Sequence, residues 1–288
     1  MNLRIFFCVC ISVWSTGLTF AQAGNNATLN AILIVGYQED GTAQAMADMD
    51  KVADLFEQHS ISVSRFYDDK ANWNDIVRTA KECNFLVYAG HGSMMGENGN
   101  AGGLCIKTMV SSERLISELK LKESALVLFQ SVCNGAGSSA GDLKDIGIVE
   151  AKKRVTHYAT PFFKVGAAAY VANNYTDGIL HFLEDFLNGT SLKLAYENQT
   201  EPWSKAVFNH PFPGYPGKTY SIAADEGGGT AIVTSYANGK KITKEIVSPK
   251  SYDVAYVGPA EFTFQDIRNA ALHKGKANVN RVAKLVRN

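Results

Sequence analysis

The sequence predicts an α/β protein in which a mostly parallel sheet carries helices on both faces. Three observations support this prediction. Short apolar runs suited to strands buried on both faces recur along the chain, and segments with helical spacing separate them. One strong hairpin signal interrupts the alternation toward the C-terminal end. Neither an internal repeat nor a low-complexity linker is present, so we expect one domain over residues 24–263.

Strands and helices alternate along this domain. The first apolar run, Ala31–Val35, ends at Gly36, and the segment after it places Ala45, Met49 and Phe56 on one helical stripe. The predicted strands are 31–35, 61–67, 85–89, 125–129, 167–171 and 254–257. The predicted helices are 40–59, 72–82, 112–119, a helix after 174, and a closing helix over 264–288. Residues 134–166 are interpreted as a long, partly basic connection.

Residues 218–248 break this alternation. Two segments rich in β-branched residues, 231–236 and 241–247, flank Asn238 and Gly239. An Asn-Gly pair between such segments is the strongest local signal for a two-residue hairpin turn. We therefore expect a β-hairpin inserted ahead of the last strand of the sheet.

The first 23 residues have the three-part pattern of a secretory signal peptide. A positive charge at Arg4 precedes an apolar run over 5–20, and Ala21 and Ala23 form a small-x-small cleavage site. Hydroxyl residues and a glycine dilute the apolar run too much for a spanning helix. We expect residues 1–23 to be removed and the protein to be exported, either periplasmic or secreted.

Charge and histidine placement exclude several function classes. The chain has 28 basic and 28 acidic residues and no long run of one sign, so nothing favours nucleic acid or an anionic membrane as a partner. The six histidines are scattered without the spacing of metal ligands. We expect no metal and no cofactor, and a peptide or protein as the partner.

Cysteine usage singles out one thiol. Cys8 and Cys10 leave with the predicted leader, so the exported chain keeps Cys83, Cys105 and Cys133. Three thiols close one disulfide at most and leave an odd cysteine with a role of its own. We interpret Cys83 and Cys105 as structural, either free or paired, and Cys133 as the odd one.

His91 and Cys133 occupy corresponding places in the predicted sheet. His91 lies two residues beyond the strand 85–89, and Cys133 follows the next strand of the sheet, 125–129. Functional groups collect beyond the carboxyl ends of parallel strands, and consecutive strands are usually neighbours about 4.8 Å apart. The spacing therefore predicts that a thiol and an imidazole meet at one edge of the sheet.

A thiol beside an imidazole is the arrangement of a cysteine hydrolase. The thiolate is the attacking species, and an imidazole stabilises it or removes its proton. The same ring can protonate the leaving amine. Backbone N–H groups of Gly92 and Cys133 are candidates to bind the tetrahedral oxyanion. We predict Cys133 as nucleophile and His91 as general base.

The order of these blocks resembles the caspase-like cysteine peptidases of clan CD, which include caspases, metacaspases, gingipains, clostripain-type enzymes and CHAT-domain proteins. The resemblance rests on Gly90–Gly92 after one apolar strand and Ser131–Gly135 after the next. Residues 166–171 and 186–192 resemble the segment after the nucleophile in bacterial members. It extends over about residues 30–262, although the Gly-Asp-Pro often found at the last strand is Gly258-Pro259 here.

The resemblance implies a three-layer sandwich with a six-stranded sheet in the order 2-1-3-4-5-6. It implies that His91 and Cys133 form the catalytic dyad, with Gly92 as an oxyanion donor. Ser131, Asn173 and Asn174 are then candidates to line the first substrate pocket. Ser131 stands where members that cleave after Arg or Lys often have an acidic residue.

Two further hypotheses accompany the endopeptidase. A catalytically silent caspase-like module could bind a peptide or protein partner through the same cleft. A different thiol amidase or transpeptidase could use the same sheet. The basic cluster Lys152–Arg154 is a candidate autoprocessing site, although a solvated loop is the better explanation of it.

Overall fold

The computed structural model describes residues 28–200, 206–207, 210–227, 230–237, 240–247 and 250–273. The predicted leader, residues 1–23, and the end of the predicted C-terminal helix lie outside the described residues. The described helices are α1 (Thr42–Gln58), α2 (Trp73–Ala80), α3 (Ser112–Glu118), α4 (Gly147–Lys164), α5 (Gly178–Leu187), α6 (Leu192–Asn198) and α7 (264–273). No described helix is both long enough and apolar enough to cross a membrane.

The strands in chain order are β1 (Leu29–Val35), β2 (Ile61–Tyr67), β3 (Phe85–Ala89), β4 (Leu104–Cys105), β5 (Met109–Val110), β6 (Ala125–Gln130), β7 (Ala167–Asn173), β8 (Ala206–Val207), β9 (His210–Pro211), β10 (Thr219–Asp225), β11 (Thr230–Ala237), β12 (Lys240–Val247) and β13 (Ser251–Gly258). The central sheet runs β2-β1-β3-β6-β7-β13-β10-β8, and β9 pairs with β10. The α/β class with a mostly parallel core is confirmed.

The prediction of a six-stranded sheet is wrong in extent. The six predicted strands do follow one another in the order 2-1-3-4-5-6, but β10 and β8 continue the sheet beyond them. The sheet is also mixed, because β13 pairs antiparallel with both β7 and β10. β10 and β13 lie on either side of the hairpin of β11 and β12 in the chain, and as antiparallel neighbours they need no crossover connection between them.

Helices cover both faces of the sheet, and each face has its own apolar core. On one face α2, α3 and α4 pack against Ile34, Tyr88 and Phe129. On the other face α1, α5, α6 and α7 pack against Leu33, Val87 and Leu128. Neighbouring residues of a strand therefore point to opposite cores, which explains why these strands are apolar without alternation.

Helix α4 occupies part of the stretch interpreted as a connection. Ala151, Val155, Ala159 and Phe162 are buried at helical spacing along it. The basic cluster Lys152–Arg154 lies within α4, and its charges made the apolar spacing hard to recognise in the sequence. Arg154 forms ion pairs with Asp142 and Glu150, so the candidate autoprocessing site lies in ordered helix and not in an extended loop.

Candidate active site

The strand register places four loops at one edge of the sheet. Ala89 of β3 lies between Val35 of β1 and Gln130 of β6, and Gln130 pairs in turn with Asn173 of β7. These residues end their strands, and β1, β3, β6 and β7 run parallel to one another. The loops that follow them therefore leave the sheet side by side, with His91 in one and Cys133 in the next.

The His91 loop and the Cys133 loop are in direct contact. A Cβ added to Gly92 would overlap the Cys133 carbonyl oxygen and would lie 2.8 Å from Cys133 Cβ. Real Cβ atoms essentially never approach other atoms so closely, so only glycine fits at position 92 without displacing a loop. The loops that carry the predicted imidazole and thiol are therefore in contact through Gly92 and Cys133.

His91 is oriented by a carboxylate that the sequence did not point to. Its Nε2 lies 3.1 Å from Oε2 of Glu39, in the short 3-10 helix Glu39–Gly41 after β1. A carboxylate only accepts, so Nε2 is the nitrogen that donates a proton in this contact. Within the described residues the ring makes no hydrogen bond to Cys133.

Cys133 sits in a tightly bonded turn with a partly exposed side chain. The Ser131 N–H donates to Asn173 O (2.9 Å), and the Gly135 N–H donates to Val132 O (2.9 Å). In the part of the chain that the structure describes, the N–H groups of Gly92 and Cys133 donate no hydrogen bond. Two unpaired donors beside the thiol are the requirement for binding an oxyanion.

Strained backbone concentrates at this edge. Among the described residues other than glycine, seven have positive φ angles, and four of them lie in the loops at this edge: Glu39 (44°), Ser131 (54°), Asn134 (68°) and Asp177 (56°). Each such residue costs about 1 kcal/mol or more and persists only where its surroundings impose it. The surrounding hydrogen bonds therefore hold these loops in one conformation.

Two buried tyrosines form hydrogen bonds to the backbone of the His91 loop. The Tyr88 hydroxyl donates to the carbonyl of His91 over 3.0 Å. The Tyr158 hydroxyl, on α4, accepts from Ser93 N (2.6 Å) and lies 3.2 Å from Ser93 O. Burial raises the pKa of both phenols, so both stay neutral hydrogen-bonding groups at any physiological pH.

The predicted pocket residues have different positions. Ser131 lines a cavity of about 250 Å³ next to the nucleophile turn. Asn173 is buried and accepts from Tyr175 N (2.8 Å), and Asn174 donates to Asp253 Oδ1 (3.0 Å). Neither asparagine lines the cavity; both shape the loop after β7.

The cavity contains an acidic side chain from α1. Asp48 lines it together with Gln130, Ser131 and Thr176. Lys51 forms ion pairs with Asp48 (2.9 Å) and with Asp177 (3.0 Å), so two carboxylates share one ammonium group and one negative charge remains. Asp48 lies in the sequence among other acidic residues of a predicted helix, where nothing distinguished it.

A second cleft lies away from this edge. It has a volume of about 530 Å³ and is lined by loop 97–100, α3 and α4. It contains no residue of the His91–Ser93 or Ser131–Gly135 segments. It is larger than the cavity beside Ser131, and its lining includes the hydroxyls of Ser112 and Thr160 and the imidazole of His157 but no thiol.

The two other thiols are free, like Cys133. Cys83 is buried and donates to Phe85 O over 2.7 Å, and burial raises its pKa to about 12. Cys105 is half-buried, with Sγ 3.8 Å from Gly92 O. The structure therefore has no disulfide between Cys83 and Cys105. Of the two predicted states of these cysteines, paired or free, the structure has the free one.

The fold and this edge define an α/β protein with a thiol, an imidazole and unpaired backbone donors at the carboxyl ends of parallel strands. No protein-family model matches the chain, and no curated protein matches it either. The function must therefore be inferred from the site itself.

Proposed function

We propose that this protein is an exported cysteine endopeptidase of the caspase-like type, with Cys133 as nucleophile and His91 as general base. The observation that carries the proposal is the contact of Gly92 with Cys133, which brings the imidazole loop and the thiol loop together beside two unpaired N–H groups. The sheet order of the six core strands and the two sequence blocks support the caspase-like assignment.

In the proposed reaction the Cys133 sulfur attacks the scissile carbonyl carbon. His91 Nδ1 takes the thiol proton and then gives it to the leaving amine as the C–N bond breaks. The acyl group remains on sulfur as a thioester. Water, deprotonated by the same ring, then attacks the thioester, releases the carboxylic acid and returns the proton to the thiol. Glu39 keeps the ring in the tautomer that leaves Nδ1 free.

The tetrahedral oxyanion is proposed to bind to the N–H groups of Gly92 and Cys133. Both belong to turns fixed by hydrogen bonds, so they need little reorganisation when charge develops on the substrate oxygen. Removing one such donor typically lowers kcat by about 10² to 10³.

The cavity beside Ser131 is proposed to accept the substrate side chain on the acyl side of the scissile bond. Ser131 lies two residues before Cys133, within reach of that side chain. The uncompensated charge of Asp48 favours a cationic side chain, Lys or Arg. The acidic group that position 131 lacks is thus supplied from α1.

Asp48→Asn tests this specificity. We expect the variant to react about tenfold more slowly with a probe that presents Lys, and equally fast with a probe that presents Leu. The measurement is the rate of covalent labelling with each probe. Asp54→Asn, on the exposed side of the same helix, is the matched control. Equal losses with both probes would show that Asp48 acts on stability and not on selection.

The silent binding module is the second candidate. The observation in its favour is that His91 makes no hydrogen bond to Cys133 among the described residues. Catalytic hydrogen bonds often form only when substrate binds, so this geometry is compatible with both functions.

Covalent labelling separates the two candidates. The protein is treated with peptidyl acyloxymethyl ketones and the adduct is mapped by mass spectrometry. We expect one adduct, at Cys133, and a strongly reduced labelling rate in His91→Ala. Equal modification of Cys105 and Cys133, independent of His91, would favour the silent module.

A further inference from the structure

Gly92 contacts two cysteines. Its α-carbon is packed against the backbone and Cβ of Cys133. Its carbonyl oxygen lies 3.8 Å from Sγ of Cys105. The residue that carries the proposed nucleophile and a second cysteine therefore both contact Gly92.

Cys105 is held in this place by its main chain. Its N–H donates to the Tyr88 hydroxyl (3.0 Å), and its carbonyl oxygen lies 3.1 Å from the same hydroxyl. A Cβ added to Gly36, at the end of β1, would overlap that carbonyl. Cys105 thus stands over the same edge of the sheet as Cys133.

We propose that Cys105 is a resolving thiol that forms a reversible disulfide with Cys133 when the protein meets a peroxide. The disulfide would block the nucleophile, so its effect on activity rests on the proposed hydrolase function, while the bond itself does not. The third thiol, Cys83, takes no part in this disulfide, because it is buried and donates to Phe85 O.

The reaction has two balanced steps. The Cys133 thiol is oxidised by hydrogen peroxide to the sulfenic acid, and the peroxide oxygen that does not bind sulfur leaves as water. The Cys105 sulfur then attacks the Cys133 sulfur, the S–O bond breaks, and the hydroxyl leaves as a second water with the thiol proton. A dithiol reductant reverses the bond by thiol–disulfide exchange.

The ionisation of Cys105 depends on its surroundings and on the state of Cys133. Burial raises the pKa of the Cys105 thiol, and a negative charge on Cys133 raises it further. The sulfenic acid is neutral, so oxidation of Cys133 removes that repulsion and eases ionisation of Cys105. Among the described residues Cys105 belongs to the two-residue strand β4, which pairs with β5 and lies outside the central sheet.

The test is oxidation of the full chain by hydrogen peroxide in at least tenfold molar excess, followed by digestion without reduction. We expect a peptide pair joined through Cys105 and Cys133, and full recovery of the free thiols on adding dithiothreitol. In Cys105→Ser we expect Cys133 to proceed to sulfinic and sulfonic acids, which dithiothreitol does not reverse. Cys83→Ser is the matched control and should behave as the wild type.

The inference is overturned if Cys105→Ser recovers as completely as the wild type, or if the disulfide found involves Cys83. Labelling of the reduced protein with the acyloxymethyl ketone gives an independent readout. An adduct at Cys133 without the disulfide would retain the hydrolase and reject the resolving thiol. A disulfide between Cys105 and Cys133 without an adduct at Cys133 would retain the resolving thiol and reject the hydrolase.

Discussion

Cys133→Ala and His91→Ala are each expected to lower kcat/KM for peptide hydrolysis by at least about 10³. Removal of the sulfur leaves no nucleophile, and removal of the ring leaves neither a base for the thiol nor an acid for the leaving amine. The double variant should be no worse than the poorer single variant, because the two groups act as one unit. Both side chains are partly or half exposed, so the free energy of unfolding should change by no more than about 0.5 kcal/mol.

The measurement combines turnover of a fluorogenic peptide with unfolding in denaturant. His181→Ala is the control, since His181 is half exposed and pairs with Glu184 away from the site. If Cys133→Ala turned over the peptide within tenfold of the wild-type rate, Cys133 could not be the nucleophile. Equal losses in His181→Ala would point to an effect on folding.

Gly92→Ala is expected to be nearly as damaging although it removes no reactive group. The added methyl would overlap the Cys133 carbonyl oxygen and approach Cys133 Cβ to 2.8 Å, so one of the two loops must shift. The shift separates His91 from Cys133 and moves one of the two oxyanion donors. We expect kcat/KM to fall by about 10² or more, and the free energy of unfolding to fall by about 1–3 kcal/mol.

Gly141→Ala controls for the general cost of replacing glycine. A Cβ at position 141 would meet nothing closer than Ser139 Oγ at 3.8 Å, so the methyl fits. Kinetic constants and denaturant midpoints of the two variants are compared. If Gly92→Ala retained wild-type kcat/KM, the loop contact would have no part in function.

The parallel core was predictable because its signal is local. β3 is buried along its whole length and is a short apolar run, whereas the edge strand β2 alternates apolar and polar residues. Both begin and end at the predicted residues. The antiparallel extension could not be predicted, because β10 joins the sheet by pairing with β13, 26 to 39 positions away in the chain. Helix α4 was not recognised because three consecutive basic residues separate Ala151 from Val155 in the sequence and obscure the buried stripe that these residues form with Phe162.

The same distinction applies to the site. His91 and Cys133 could be predicted because each directly follows a strand whose end is visible in the sequence. Glu39, Asp48 and Tyr158 could not, because each reaches the site from a neighbouring element and has no local signature. Asn173 and Asn174 lie in the predicted loop, yet their side chains turn to Tyr175 and Asp253.

The proposed thioester offers the most direct test of the central claim. The protein is mixed with a peptide ester, quenched in acid within milliseconds, and analysed by mass spectrometry after digestion. The account predicts an acyl group on the peptide that contains Cys133, formed before product accumulates and abolished in His91→Ala. Hydrolysis that proceeds with no acyl group on Cys133, or that persists in Cys133→Ala, would contradict it.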